Sequence, residues 1–159
     1  MNNAYLLLGS NMGNSQEQLQ TAIKFINTTI GEVTRQSALY RTAAWGNTNQ
    51  PDFLNQVIIV KTELNAAETL QQILFIEKAM GRIRTIKNAP RIIDIDILFF
   101  NNEIISEKQL TVPHPEIANR RFVLVPLNEL SKNLVHPLLN KTIHQLLEEC
   151  KDPLDVKKF

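Results

Sequence analysis

The sequence has only one cysteine, Cys150, among its 159 residues, which excludes an intrachain disulfide. It also lacks internal repeats, low-complexity tracts and linker-like stretches, and its formal net charge is only +1. A chain so close to neutral has no general attraction for nucleic acid or for a membrane surface. Neither is therefore expected as a partner, and any basic function must be local.

Long apolar runs are missing as well. The run at residues 4–8 ends at Gly9 and has no basic leader before it, so it predicts neither a secretory signal nor a membrane span. The cytoplasm is the expected location. What is present, 43% hydrophobic and 21% charged residues, is typical of a one-domain globular protein. We expect residues 1–159 to form that single domain and to act as a monomer.

Residues 91–100 have the composition of a buried strand but carry two acids. Apolar residues occupy both alternating sets, which is typical of a strand covered on both faces. Asp94 and Asp96 share one face, with Cβ atoms roughly 6.5 Å apart. At that separation and an effective dielectric of about 20, the two carboxylates repel by about 2.5 kcal/mol, so a positive partner is expected. The opposite face is expected to be wholly apolar: Ile93, Ile95, Ile97 and Phe99.

The acid pair has more than one interpretation. Mg²⁺ is usually held by one or two carboxylates together with substrate phosphates. Residues 82–91 add four cations, Arg82, Arg84, Lys87 and Arg91, so metal and arginines could converge on a phosphate, which Arg matches in bidentate fashion. The alternatives are an edge strand facing solvent, carboxylates paired with Arg91 and its neighbours, and a solvated basic loop.

Two further features suggest a binding site. On the strand predicted at residues 53–60, Phe53 and Asn55 share a face where a long polar loop returns, which suits a flat heteroaromatic ligand; a core Phe with Asn capping the loop is the alternative. On the next predicted helix, Glu77 lies in the centre of an apolar stripe, so it either forms a salt bridge with a basic neighbour or belongs to a site. The stripe consists of Ala66, Leu70, Ile73, Leu74 and Met80.

The coarse element order is strand, helix, strand, strand, helix, strand. The first helix is predicted to be capped by Ser15 and Gln18, and the second strand covers residues 33–41. This order predicts an α+β fold, a ferredoxin-like split β-α-β sandwich with an extra hairpin at Asn101-Asn102 and short C-terminal helices. Residues 151–159 are expected to be a loosely held tail.

Seven motifs follow one another in a fixed order. They are Gly9-Ser10-Asn11, Tyr40-Arg41-Thr42, Gln50-Pro51-Asp52-Phe53-Leu54-Asn55, Gly81-Arg82-x-Arg84, Pro90-Arg91-x-x-Asp94-x-Asp96-Ile97-Leu98, Val112-Pro113-His114 and Asn119-Arg120-x-Phe122-Val123-Leu124-x-Pro126-Leu127. Over nearly the whole chain this set resembles 6-hydroxymethyl-7,8-dihydropterin pyrophosphokinase of folate biosynthesis. The resemblance implies an enzyme that transfers the β,γ-diphosphate of ATP to the hydroxymethyl oxygen of the pterin and releases AMP.

The resemblance also implies roles for individual residues. The metal ligands are Asp94 and Asp96, which hold two Mg²⁺ ions with ATP. The catalytic residues are Arg82, Arg84, Arg91, Asp94 and Asp96. The ATP-binding residues are Glu77, Arg84, Arg91, Ile97, Thr111, His114 and Arg120. The pterin-binding residues are Thr42, Ala43, Trp45, Phe53, Asn55 and Phe122.

Two other classes of protein share part of this pattern. A palm-like two-metal nucleotidyltransferase combines a split sheet with paired aspartates, but it usually needs extra domains or a basic face for nucleic acid. A non-enzymatic ferredoxin-like binding module has the fold but does not explain the clustering of acids, arginines and aromatic residues. Pterin-dependent release of AMP from ATP distinguishes all three.

Overall fold

The computed structural model describes residues 1–43, 50–82 and 91–159. Two of the residues with predicted roles, Trp45 and Arg84, and the cation Lys87 lie outside these ranges. The described elements in chain order are β1 (Asn2–Ser10), α1 (Ser15–Thr29), β2 (Gly31–Gln36), β3 (Tyr40–Thr42), β4 (Phe53–Thr62), α2 (Ala66–Ala79), β5 (Asp94–Phe100), β6 (Ile105–Ser106), β7 (Thr111–Val112), a short 3₁₀ helix (Ile117–Asn119), α3 (Arg121–Ser131), α4 (Ile143–Glu149) and β8 (Lys157–Lys158).

The main sheet is antiparallel, with the strand order β5-β1-β4-β3-β8, and β2 also pairs with β4. The long strands β1 and β4 lie in the middle because residues on both of their faces are apolar and buried, such as Leu6, Leu7 and Val57. The predicted α+β fold and its split β-α-β order are thereby confirmed.

Helices cover both faces of the sheet. On one face, α1 and α2 pack against a core that includes Leu6, Leu8 and Ile58. On the other face, α3 and α4 pack against a core that includes Leu7, Val57 and Leu98. No helix in the described part of the chain is long and apolar enough to cross a membrane. The cytoplasmic location stays a prediction.

Strand β5, here called the acid strand because it carries Asp94 and Asp96, does not alternate strictly between its two faces near its end. Tyr5 pairs with Phe99, but the next residue of β1, Leu6, pairs with Ile97, so Leu98 is an extra residue in the ladder. Because such a bulge shifts the facing of all residues beyond it, Phe99 joins the core beneath α3 and α4, on the face of the two aspartates. The expectation that Phe99 shares the opposite face with Ile97 is therefore wrong.

The strand predicted at residues 33–41 consists of two strands, β2 and β3. Between them, the backbone N–H of Val57 donates to the Ser37 hydroxyl at 3.0 Å instead of to a backbone carbonyl, and this side-chain acceptor interrupts the ladder. The predicted hairpin also differs. Asn101 adopts a left-handed turn conformation with φ of 52°, but β6 after the turn pairs with β7 and not with β5.

Three smaller expectations also need correction. The cap of α1 is Asn14, whose side chain accepts from the N–H of Glu17, because the helix begins at Ser15, one residue earlier than a Ser15 cap assumed. On α2, Leu74 is 46% exposed, because the buried face of this helix contains Ile73, Ile76 and Glu77. Residues 151–159 are not a loose tail, because β8 pairs with β3.

Candidate active site

A cleft opens on the face of the sheet that α3 and α4 cover. It is lined by residues from β1, β3, β4, β5 and the start of α3: Leu7, Gly9, Thr42, Phe53, Asn55, Arg91, Asp94, Asp96, Arg120 and Phe122. Eight of these ten have roles implied by the sequence resemblance, and they come from segments far apart in the chain. The fold therefore brings together the acid pair, two arginines and the predicted aromatic pair.

Arg82 supplies the positive partner expected beside the acid pair. Its Nη1 lies 2.7 Å from Glu77 Oε2 and 2.7 Å from Asp94 Oδ1. The backbone N–H of Ile95 also donates to Glu77 Oε2, at 2.9 Å. Of the two alternatives for Glu77, the salt bridge with a basic neighbour is present, and it ties α2 to the acid strand.

The charge balance around Asp96 is unfavourable for its ionised form. Burial raises the pKa of Asp96 to about 7, and the negative charges of Asp94 and Glu77 add to this rise, while Arg82 and Arg120 oppose it. The two arginines therefore do not fully offset the burial of Asp96 and its repulsion by the other two carboxylates. An additional cation at Asp96 would lower this pKa and relieve the repulsion.

The donor set at the acid pair fits Mg²⁺ held jointly with a substrate. The described residues contain no group of three or more His, Cys, Asp or Glu side chains that could hold a metal ion. Mg²⁺ does not require such a cage, since it is commonly bound by one or two carboxylates, water and phosphate oxygens. Asp94 and Asp96 therefore suit a metal that arrives with a phosphorylated ligand.

His114 and Arg120 lie near the acid pair. The N–H of His114 donates to Leu98 O at 3.0 Å, and His114 Nδ1 accepts from the N–H of Glu116 at 3.1 Å. Burial lowers the pKa of His114, and the charge of Arg120 lowers it further, against the opposing charges of Glu116 and Asp94. The imidazole is therefore neutral near pH 7 and carries its proton on Nε2, where it can donate to an anionic ligand.

The uncharged half of the cleft is formed by β3, β4 and the start of α3. Asn55 is 4% exposed and donates from Nδ2 to Thr42 Oγ1 at 3.1 Å. Phe53 lines the cleft from β4 and Phe122 from α3, and the guanidinium of Arg120 lies 5.7 Å from the ring centroid of Phe122. Two rings and an amide therefore border one space, as the pattern on β4 predicted for a flat ligand.

Gly9, which belongs to the first sequence motif but was given no role there, also lines the cleft. A Cβ atom at Gly9 would lie 2.9 Å from Asn55 Oδ1 and 3.6 Å from Phe53 Cδ1. Only glycine therefore lets β1 pass this close to both side chains. The antiparallel register places Gly9 opposite Asn55, and this pairing is not visible in the sequence.

Asn11 connects the ends of two loops at the cleft. Its side-chain oxygen accepts from the N–H of Arg91 at 2.8 Å, and its own N–H donates to Arg91 O at 3.1 Å. Its Nδ2 donates to the side chain of Gln50 and, at 3.1 Å, to Pro51 O. The buried amide of Asn11 thus connects the end of the polar loop, at Gln50 and Pro51, to Arg91, which precedes the acid strand.

Tyr40 and Glu129 hold β3 against α3. Tyr40 Oη donates to Glu129 Oε1 at 2.6 Å, and the N–H of Ala38 donates to the same carboxylate at 3.1 Å. Burial raises the pKa of Tyr40 to about 12, with further contributions from the hydrogen bond and the charge of Glu129. The phenol therefore stays protonated across the physiological range and anchors the strand that ends at Thr42.

Six predicted residues of the described part of the chain are not among those that line the cleft. Glu77 and Arg82 form the salt bridges beside the acid pair, and His114 follows β7. The side chain of Ile97 packs in the core beneath α1 and α2, Thr111 is exposed on β7, and Ala43 is exposed after β3. Trp45 and Arg84 lie outside the described residues. The roles of all the predicted site residues stay predictions.

Comparison with known proteins gives a consistent result. Residues 5–132 match the model of the family described as 7,8-dihydro-6-hydroxymethylpterin-pyrophosphokinase (HPPK). The 2-amino-4-hydroxy-6-hydroxymethyldihydropteridine pyrophosphokinase of Methylorubrum extorquens is 39% identical over 159 residues, covering 99% of both chains. The enzyme with the same description in Aquifex aeolicus is 40% identical over 149 residues, covering 94% of this chain and 92% of its own.

A solved structure extends the likeness to three dimensions. The HPPK-DHPS of Plasmodium falciparum, crystallised with SDX-DHP, superposes with a TM-score of 0.76 at 22% identity. The match covers 94% of this chain but only 43% of that chain, so it shows the shared fold alone. The resemblance noted from the ordered motifs is confirmed by the family model and the two bacterial relatives. This chain belongs to the 7,8-dihydro-6-hydroxymethylpterin-pyrophosphokinase family, the enzymes that transfer pyrophosphate to hydroxymethyldihydropterin in folate biosynthesis.

Proposed function

We propose that the cleft binds ATP along its charged half and the pterin in its uncharged half. The hydroxymethyl oxygen of the pterin then attacks the β-phosphorus of ATP, and the bond from that phosphorus to the α,β-bridging oxygen breaks. AMP leaves with that oxygen, and the proton of the hydroxyl group passes to solvent. The observation that carries this assignment is the convergence of the acid pair, Arg91 and Arg120 with Phe53, Asn55 and Phe122 on one cleft.

Asp94 and Asp96 are the residues that would hold the two expected Mg²⁺ ions. Enzymes of this family generally depend on Mg²⁺, and the raised pKa of Asp96 supports a cation beside it. When bound, Mg²⁺ neutralises phosphate oxygens and lowers the pKa of a coordinated hydroxyl group. No side chain is assigned as a general base.

In this proposal the arginines bind the phosphate groups of ATP. Arg91 and Arg120 line the cleft, and a guanidinium binds phosphate oxygens through two parallel hydrogen bonds. Arg82 supplies a third cation beside Asp94, and Arg84, outside the described residues, keeps the role that the resemblance implies. His114 adds a neutral donor at Nε2. Together these groups offset the charge that spreads over the transferred phosphates.

The uncharged half orients the nucleophile. Phe53 and Phe122 stack on the pterin faces, and Asn55, fixed by Thr42, hydrogen-bonds to its edge. Ala43 and Trp45 are expected to complete this side from the loop that follows β3. Because the amide is already held in place, little conformational entropy is lost when it binds the ligand.

The direct test measures AMP release from Mg-ATP with and without 6-hydroxymethyl-7,8-dihydropterin. We expect release that depends on the pterin and that is lost in Asp94→Ala and Asp96→Ala, with Asp155→Ala as a control, since Asp155 is exposed. Release without the pterin, or none from folded protein, would contradict the activity. Full rate in Asp94→Ala or Asp96→Ala would contradict the metal assignment.

We also propose that residues 1–159 form one domain that acts as a monomer. One observation supports the single domain: β8 joins the sheet that contains β1. Limited proteolysis that releases no stable fragment and a sedimentation mass of one chain are the expected results.

A further inference from the structure

Residues 151–159, here called the strap, contact both walls of the uncharged half of the cleft. One wall is the first turn of α3, which carries Phe122. The other is β3 with its partner β4, which carry Thr42, Phe53 and Asn55. The family model ends at residue 132, so the strap lies beyond the region that the family model covers.

The first contact is at the beginning of α3. The residue before this helix, Arg120, makes no capping hydrogen bond with its side chain. Instead Asp152 Oδ2 accepts from the N–H of Arg121 at 3.0 Å, and Asp152 Oδ1 accepts from the N–H of Leu154 at 3.0 Å. A carboxylate at a helix N-terminus satisfies a free N–H group and interacts favourably with the helix dipole. The strap therefore supplies the cap of the turn that carries Phe122.

The second contact is at the edge of β3. Lys158 pairs with Tyr40 and Lys157 with Arg41, and the N–H of Phe159 donates to Leu39 O at 2.8 Å. The guanidinium of Arg41 lies 5.2 Å from the ring centroid of Phe159. This pairing fixes a strand of only three residues, Tyr40–Thr42, directly before the loop that follows it.

These two contacts act on residues that face each other across the proposed pterin site. We propose that the strap sets the spacing between Phe122 and the Thr42-Asn55 pair, and that Asp152 and Phe159 are positioning residues for pterin binding. This inference rests on the proposed function, because it takes the uncharged half as the pterin side.

The strap is not needed to hold α3 on the sheet. Val123, Leu124 and Leu127 are buried at 2% exposure or less, and Glu129 bonds the far end of the helix to Tyr40. Loss of the strap is therefore expected to loosen the first turn of α3 and the end of β3, while the helix remains packed. Such a change affects the pterin site more than the ATP side.

The test compares four strap variants with matched chemistry. Asp152→Ala removes the cap, whereas Asp152→Asn keeps one acceptor oxygen. Phe159→Pro removes both the ring and the N–H donor, whereas Phe159→Ala keeps the N–H. Lys157→Ala is the control, because its side chain forms an ion pair with Asp155 and both side chains are more than 70% exposed. For each, KM for the pterin, KM for ATP, kcat and thermal unfolding are measured, with Asn55→Ala as the reference for the pterin site.

We expect Asp152→Ala and Phe159→Pro to raise KM for the pterin by about fivefold or more, the size of effect that a helix cap provides, with KM for ATP within about twofold. Asp152→Asn and Phe159→Ala should show smaller rises, and Lys157→Ala none. If Asn55→Ala weakens pterin binding but the strap variants lower only the unfolding temperature, the strap is merely structural and the inference is overturned. If Asn55→Ala leaves pterin binding unchanged, the proposed location of the pterin site has failed instead.

Discussion

The two halves of the cleft are held together by different forces. In the charged half, Arg82 joins Glu77 to Asp94. Burial raises the pKa of Asp96 to about 7, and the negative charges of Asp94 and Glu77 contribute to this rise. In the uncharged half, Asn55 and Thr42 form a neutral hydrogen bond beside two aromatic rings. The first half is thus held by ionised groups, whereas the second is held by neutral ones.

This difference has a consequence for how each half responds to conditions. In the charged half, the pKa of Asp96 is raised to about 7, and ion pairs weaken with salt where they are exposed. Strand β3 of the uncharged half carries Tyr40, whose pKa is about 12. Its hydrogen bond to Glu129 therefore persists to strongly alkaline pH. Substitutions and changes of pH should therefore affect the two halves of the cleft differently.

The largest expected effect is that of Asp96→Ala on the rate. We expect kcat to fall by about a thousandfold, because the charge that holds the metal and phosphates is removed. Pterin affinity, measured without ATP by fluorescence titration, should stay within about twofold. A parallel loss of pterin affinity would show that the two halves are not separable.

Gly9→Ala is expected to weaken pterin binding and to change ATP binding little. The added methyl group would lie 2.9 Å from Asn55 Oδ1, so the amide must turn away from its present position. The loss of one well-placed hydrogen bond should raise KM for the pterin by about tenfold, with KM for ATP little changed. Steady-state kinetics with each substrate varied in turn checks this, and an unchanged KM for the pterin would contradict the role given to Asn55.

The third prediction concerns stability against pH without divalent ions. An acid whose pKa is raised in the folded state binds protons more tightly there, so its contribution to stability is lost as pH rises from its ordinary value of 3.8 to about 7. Asp96→Asn should remove this loss and increase the free energy of unfolding at pH 8 by about 1–2 kcal/mol. Urea unfolding at several pH values measures it. Equal slopes for both proteins between pH 4 and 7 would contradict the prediction.

The smallest expected effect is that of Tyr40→Phe. Loss of the hydrogen bond to Glu129 should lower the free energy of unfolding at pH 8 by about 1 kcal/mol. Because the pKa of Tyr40 is raised from 10.0 to about 12, the stabilisation by its protonated form is lost as pH rises through that interval. The stability curves of the two proteins should therefore converge above it, as measured by chemical unfolding, and a constant difference would contradict the assignment.

Much of the fold and of the candidate site followed from local patterns. The alternation of β5 placed Asp94 and Asp96 on one face, and the apolar stripe of α2 identified Glu77 as a buried charge that needs a partner. Both inferences depend only on the geometry of a single strand or helix.

Features that depend on partner strands were not predicted. The bulge at Leu98 arises from the pairing of β5 with β1, and the close approach at Gly9 arises from its register with Asn55 on β4. Asp152 is also a charged residue in a polar segment, and nothing in its neighbours indicates that the N–H of Arg121 lies within reach. Such contacts are set by tertiary packing, which a local pattern does not contain.

The pairing of β8 with β3 also affects how the protein behaves at high concentration. A short uncovered edge strand offers free N–H and C=O groups to other chains and is a common starting point for aggregation. Here the outermost strand on that side consists of Lys157 and Lys158, both exposed, and lysine on an outer strand opposes the approach of a second sheet through charge repulsion. Residues that border a ligand site thus also keep neighbouring molecules from joining the sheet.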